Sequence, residues 1–149
     1  MTEKDPVGRF VAQMGFAAEQ DRLPRIAGYM VATLLMEEGS LCLDELAKRL
    51  KVSRASVSTN ARLLQGLGVI ERVSQLGNRR DHYHIAADPG RELLRSTARL
   101  LRERSQMLAE TRRELDGKPI VKKRLADMEK FYRAVGRGIE RAIVELAGE

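Results

Sequence analysis

Tryptophan is absent from this 149-residue chain, and only three phenylalanines and three tyrosines supply its aromatic side chains. An aromatic cage around a cation is therefore a poor use of Phe10, Phe16, Tyr29, Phe131 and Tyr132, which are expected to pack in the core. A single cysteine, Cys42, excludes an internal disulfide and agrees with a reducing compartment. It lies between Leu41 and Leu43 with no cation within five residues, so an inert buried thiol is expected. No apolar run approaches the roughly 18 residues of a membrane span, and the start MTEKDPVGRF lacks the basic-then-apolar layout of a signal peptide. A cytoplasmic chain with no membrane partner is the expectation. The two histidines, His82 and His84, have no nearby carboxylate except Asp81, so they are expected to meet phosphate or solvent, with no metal and no other cofactor. No nucleophile–base pair, phosphate loop or metal signature supports an enzyme.

What the chain does have is localised positive charge. Between Lys48 and His84 stand eight cations (Lys48, Arg49, Lys51, Arg54, Arg62, Arg72, Arg79, Arg80) and two acids (Glu71, Asp81), an excess equal to the net charge of +6 of the whole protein. The remainder is neutral. A sorted positive face is what a polyphosphate partner selects, more so than uniform basicity. The hydrophobic fraction of 43% is ordinary for a globular protein, and the charged fraction of 32% suits helices with much solvated surface.

Short breakers divide the chain into helices. Asp5-Pro6 reads as an N-cap and first helical residue, followed by Val7, Phe10, Val11 and Met14 on one face. A second helix, about Pro24 to Glu38, presents Ile26, Met30, Thr33 and Leu34 and stops at Gly39-Ser40. Leu43, Leu46, Ala47 and Leu50 then fall at i, i+3, i+4 and i+7 of a short helix with one buried face. Lys51-Val52 makes a turn, and Ser53 has the hydroxyl needed to cap the next helix, about Arg54 to Leu67. That helix buries Val57, Ala61 and Leu64. At 100° per residue its opposite side shows Ala55, Thr59 and Arg62, flanked by Ser56 and Ser58. Such a small, hydroxylated and basic face fits a major groove.

Gly66 and Gly68 are expected to supply left-handed conformations that end this helix. Val69 to Val73 reads as a strand, Gly77-Asn78 as a turn and His82 to Ile85 as the returning strand. Arg79 and Arg80 then lie at or beside a hairpin tip, where a guanidinium can enter a minor groove or clamp phosphates. Helix, turn, helix and basic hairpin make a winged helix. The expected DNA-facing residues are Ser53, Arg54, Ala55, Ser56, Ser58, Thr59, Arg62, Arg72, Asn78, Arg79 and Arg80.

The run SLCLDELAKRLKVSRASVSTNARLLQGLGVIERVSQLGNRRDHYHI resembles the winged helix of the MarR family of bacterial transcriptional regulators, and more closely its GbsR-like branch. The preceding RIAGYMVATLLME is also similar to that branch. The resemblance implies a homodimer with intertwined terminal helices, and ligand pockets, where present, between the dimer and DNA-binding lobes. It also admits a small-molecule effector of unknown identity. Asn78 stands where the family pattern has an aspartate, so the wing salt bridge which that residue would make to Arg80 is not carried over.

The C-terminal half has its own pattern. Asp88-Pro89 is expected to start a helix of about 27 residues running to about Leu115, longer than so small a domain can cover. A last helix offers Leu125, Met128, Phe131, Tyr132, Val135, Ile139, Ala142, Ile143 and Leu146, a stripe that also needs a partner. The expected architecture is mainly α with a small β-hairpin wing: an N-terminal dimerisation helix in residues 1–22, a winged helix-turn-helix in 23–87, and C-terminal dimerisation helices in 88–149. The expected function is a sequence-specific regulator, a repressor binding an inverted repeat in double-stranded DNA. The competing expectation is a winged-helix module that contacts protein or RNA without sequence-specific DNA binding.

Overall fold

A computed structural model describes residues 5–74 and 80–148. The chain forms two compact units, Met1–Gly90 and Arg91–Glu149.

The first unit begins with helix α1 (Pro6–Gln20), capped as its sequence implies: the Asp5 carboxylate accepts the Val7 amide at 2.9 Å and Pro6 occupies the first turn. Helix α2 (Arg25–Leu35) crosses it at a point set by glycine. A Cβ on Gly28 would lie 2.2 Å from the Met14 carbonyl oxygen, and one on Gly15 would lie 2.1 Å from the Tyr29 ring. The two backbones touch where only hydrogen fits. Helix α2 ends at Leu35, three residues before the expected Glu38.

After α2 comes a strand that periodicity did not reveal, β1 (Leu41–Cys42), then α3 (Leu43–Leu50) and α4 (Arg54–Gly66). Lys51 joins these helices in a left-handed conformation, φ 56°, a strain of about 1 kcal/mol for a residue with a side chain. Strands β2 (Ile70–Ser74) and β3 (Asp81–Ile85) follow, and the antiparallel sheet has the order β1-β3-β2. Gly68 takes the left-handed turn at φ 69°, whereas Gly66 is the last residue of α4 and needs no special conformation, contrary to expectation. The core is apolar and continuous: Ala27, Met30, Leu34, Leu46, Val57, Ala61, Leu64 and Ile70 are buried together.

Helix α5 (Arg91–Glu114) does not start at Asp88-Pro89. Gly90 adopts φ 82°, which a continuing helix forbids, and its amide is held by the Gly68 carbonyl at 3.2 Å. The helix therefore has 24 residues rather than 27, about 36 Å. Helix α6 (Pro119–Ala147) returns along it, and the pair meets at Ala98, Leu101 and Ser105 with Gly136, whose Cβ position lies 3.7 Å from Leu101 Cβ. Glu129 is buried at 6% exposure between Arg112 and Arg133, so the charge is removed from water only with both guanidinium partners in place. Among the described residues, no helix is long and apolar enough to cross a membrane. Phe16 and Phe131 depart from the expected core packing: each is 58% exposed, because α1 and α6 bury other faces.

Candidate nucleic-acid interface

The site is assembled on the first unit by three local devices. Ser53 caps α4, its hydroxyl accepting the Ser56 amide at 3.1 Å and lying 2.8 Å from the Ser56 hydroxyl. Ser56 is thus engaged in the cap, and its side chain is half-buried rather than displayed. Val57, Ala61 and Leu64 anchor the inner side of α4 at 0%, 0% and 2% exposure. Arg54, Ala55, Thr59 and Arg62 consequently face out, with Ser58 half-buried beside them. Asn60, which periodicity alone does not single out, is buried and donates from Nδ2 to the Ser56 carbonyl at 2.9 Å, bracing the same turn.

The hairpin brings further cations to this unit. Arg72 on β2 is exposed and reaches Asp81 on β3 at 3.3 Å, close to the Ser74–Asp81 pairing of the ladder. Arg80, just before β3, is exposed and lies 3.9 Å from Asp44. Asn78 and Arg79 lie outside the described residues.

Asp44 is the residue that sequence reasoning missed. Its other oxygen meets Arg54 Nε at 2.9 Å, so one carboxylate at the start of α3 stands between the first residue of α4 and the base of the hairpin. All three side chains are about half exposed or more, so these pairs add little to stability. Their value is geometric: they place Arg54 and Arg80 around a common point. An acid at the first turn of a helix has an ordinary explanation in the helix dipole, which is why its second role could not be read from the chain.

Behind Asp44, Cys42 caps α3. Its sulfur accepts the Glu45 amide while the Glu45 carboxylate accepts the Cys42 amide at 2.8 Å, a reciprocal capping box. That amide hydrogen bond holds the Glu45 carboxyl below the usual carboxylate range. Cys42 is buried, as expected, but it is an N-cap as well as a packed thiol. His82, expected at phosphate or solvent, is buried at 7% exposure with Nδ1 3.0 Å from the Arg80 carbonyl. Strand pairing sets it directly opposite Cys42. His84 is half-buried, 3.7 Å from Glu71.

No family model matches the chain. A curated relative, the HTH-type transcriptional regulator MmpR5 of Mycobacterium tuberculosis, is 35% identical over 105 residues, 67% of this chain. The chain spans 64% of that relative's length. A crystal structure described as a transcriptional regulator is 29% identical with a TM-score of 0.78, over 97% of this chain and 100% of that one. A more distant likeness is a MepR variant of S. aureus bound to an oligodeoxyribonucleotide, 19% identical with a TM-score of 0.44 over 87% of this chain and 89% of that one. With its helix-turn-helix, three-stranded sheet and paired long helices, the chain has the winged-helix fold and is similar to transcriptional regulators of the MarR type.

Proposed function

We propose that this protein is a homodimeric transcriptional regulator of the GbsR-like branch that binds double-stranded DNA sequence-specifically in the cytoplasm and represses by occluding a promoter. In this reading α4 enters the major groove, with Ala55 and Thr59 at base edges, Arg54 and Arg62 at base edges or phosphates, and the amide-rich α4 start with Ser53, Ser56 and Ser58 near the backbone. Arg72 and the hairpin residues Asn78, Arg79 and Arg80 hold the flanking duplex. The N-terminal helix and the two C-terminal helices join the subunits. Two such surfaces related by a two-fold axis read an inverted repeat with half-sites about one helical turn apart. A small effector that alters the separation of the lobes would release the duplex.

The observation that carries this reading is the Arg54–Asp44–Arg80 cluster, which groups a cation of the helix face with a cation of the hairpin around one carboxylate. It is supported by the localisation of the chain's positive charge to the same segment. Selection of duplexes from a random pool by the purified protein at near-physiological salt tests it. The expected result is an enriched inverted repeat; salt-sensitive binding with no enriched sequence would overturn sequence specificity.

Two substitutions separate the roles within the site. Arg80→Ala is expected to weaken binding to specific and random duplexes alike and to lower the salt slope by about 1, whereas Thr59→Ala relaxes discrimination at one position by about 1 kcal/mol. Indistinguishable effects of the two on both duplex classes would refute that division. Asp44→Asn is expected to raise affinity for random duplex by about threefold to tenfold at low salt, since it removes a carboxylate that repels phosphate and competes for two arginines. A fall in affinity, read by fluorescence anisotropy, would mean instead that Asp44 holds the arginines in their binding geometry.

A further inference from the structure

Cys42, Glu45 and His82 present one thiol, one carboxylate and one imidazole whose ligand atoms all lie within 4.8 Å of one another. Cys42 and His82 are buried, at 2% and 7% exposure, and Glu45 is exposed. From this juxtaposition we propose a transition-metal site, fitted to Zn²⁺, that clips the start of α3 to strand β3.

The backbone makes the grouping unavoidable. Cys42 and His82 are direct partners across the β1–β3 ladder, and Glu45 follows Cys42 by three residues on the first turn of α3, so its carboxylate already reaches back to the Cys42 amide. With bonds of about 2.0–2.3 Å to nitrogen, oxygen and sulfur, tetrahedral donors stand roughly 3.5 Å apart, a contraction that side-chain rotation can supply from the observed separation. The imidazole also has the support a ligating histidine uses: Nδ1 sits 3.0 Å from the Arg80 carbonyl, and donation to that oxygen leaves the Nε2 lone pair for a metal. A thiolate, an imidazole and a carboxylate with a fourth position for water suit Zn²⁺ and disfavour Mg²⁺ or Ca²⁺, which take oxygen donors.

Binding would exchange the Cys42 S–H bond for an S–Zn bond and release that proton to solvent, with no change of oxidation state. It would also withdraw the Cys42 sulfur and the Glu45 carboxylate from the capping box. Glu45 adjoins Asp44 in sequence, and His82 lies two residues beyond Arg80, whose carbonyl its Nδ1 meets. Metal loading therefore shifts the carboxylate around which Arg54 and Arg80 meet, and duplex affinity changes with it. This second step rests on the DNA-binding reading; metal binding itself does not.

The test is a Co²⁺ titration of the purified, reduced full chain without DNA. One equivalent per chain should bring up a thiolate-to-metal charge-transfer band and tetrahedral visible bands, both removed by Zn²⁺. Cys42→Ser should abolish the charge-transfer band. Glu45→Gln keeps an amide oxygen for the Cys42 amide, so the fold is retained while affinity falls at least about tenfold; His84→Gln should leave binding unchanged. Absence of the band at excess Co²⁺, or undiminished affinity in Glu45→Gln, overturns the site. Duplex binding is then measured with and without Zn²⁺ on the native chain and on Glu45→Gln. A Zn²⁺-dependent shift confined to the native chain supports the coupling, and equal affinities overturn the coupling while the metal titration still decides the site.

Discussion

A Phe131→Glu, Val135→Glu double variant is expected to run as a monomer in light scattering and to lose most of its preference for a specific duplex. The argument begins with helical geometry. Val121, Met128 and Val135 follow one another at intervals of seven residues and remain 38%, 46% and 38% exposed, with Phe131 at 58% and Leu146 at 53% within about 60° of the same line along α6. In the proposed homodimer a second copy of α6 would present the matching ridge under two-fold symmetry and cover these apolar residues. Two glutamates there would be buried without partners in the dimer yet solvated in the monomer. One subunit then contacts one half-site. Specific complexes typically exceed non-specific ones by about 4–10 kcal/mol, so losing half that margin is worth about 2–5 kcal/mol, roughly 30-fold to several-thousand-fold in affinity, and the salt slope should fall to about half. Retention of a dimer with full duplex preference would show that the subunits associate through another surface.

The largest stability effect is expected at Gly28. Gly28→Ala would put a methyl group 2.2 Å from the Met14 carbonyl oxygen and 2.8 Å from Gly15 Cα, both backbone atoms that no rotamer change can move. Helix α1 must shift bodily away from α2, loosening the packing of its buried residues Val11, Gly15 and Ala18. Overpacking of this kind costs about 3 kcal/mol, or about 6–12 °C in melting temperature for a chain of this size. Gly66→Ala is the internal comparison: nothing lies within 4 Å of its Cβ position, and it ends a helix at negative φ. There alanine should be neutral or stabilising by up to about 1 kcal/mol. Equal melting temperatures for the two variants in calorimetry would refute the close-contact argument.

The parts of the fold that were legible in the chain are those written locally. Asp5-Pro6, Ser53 and the i, i+3, i+4, i+7 spacing from Leu43 to Leu50 each act within two turns of helix, so residue order contains the information. The outward face of α4 follows from the same periodicity. Pairings across the sheet are another matter. Strand β1 has two residues, too short for an alternation to register, and its partner lies forty residues onward. For that reason the Cys42–His82 juxtaposition and the burial of His82 were invisible, whereas the Cys42–Glu45 spacing of three was a usable local signal for the capping box. Asp44 escaped for a related reason: its meeting with Arg80 depends on the return of the hairpin. The false start at Pro89 shows the opposite failure. A sound local motif yielded to a tertiary constraint, the Gly90–Gly68 hydrogen bond.

Strand order also bears on how the protein survives in a crowded solution. With β3 central, β2 is an outer strand of five residues whose far edge has no strand neighbour among the described residues. Bare outer strands recruit other chains into mixed sheets. Here Glu71, Arg72 and Ser74 are exposed along that edge, alternating charge and hydroxyl where an approaching strand would have to desolvate them. Arg72 would thus guard that edge whether or not it meets a duplex: exchanging it for an uncharged β-former would leave the sheet folded while opening a route to self-association.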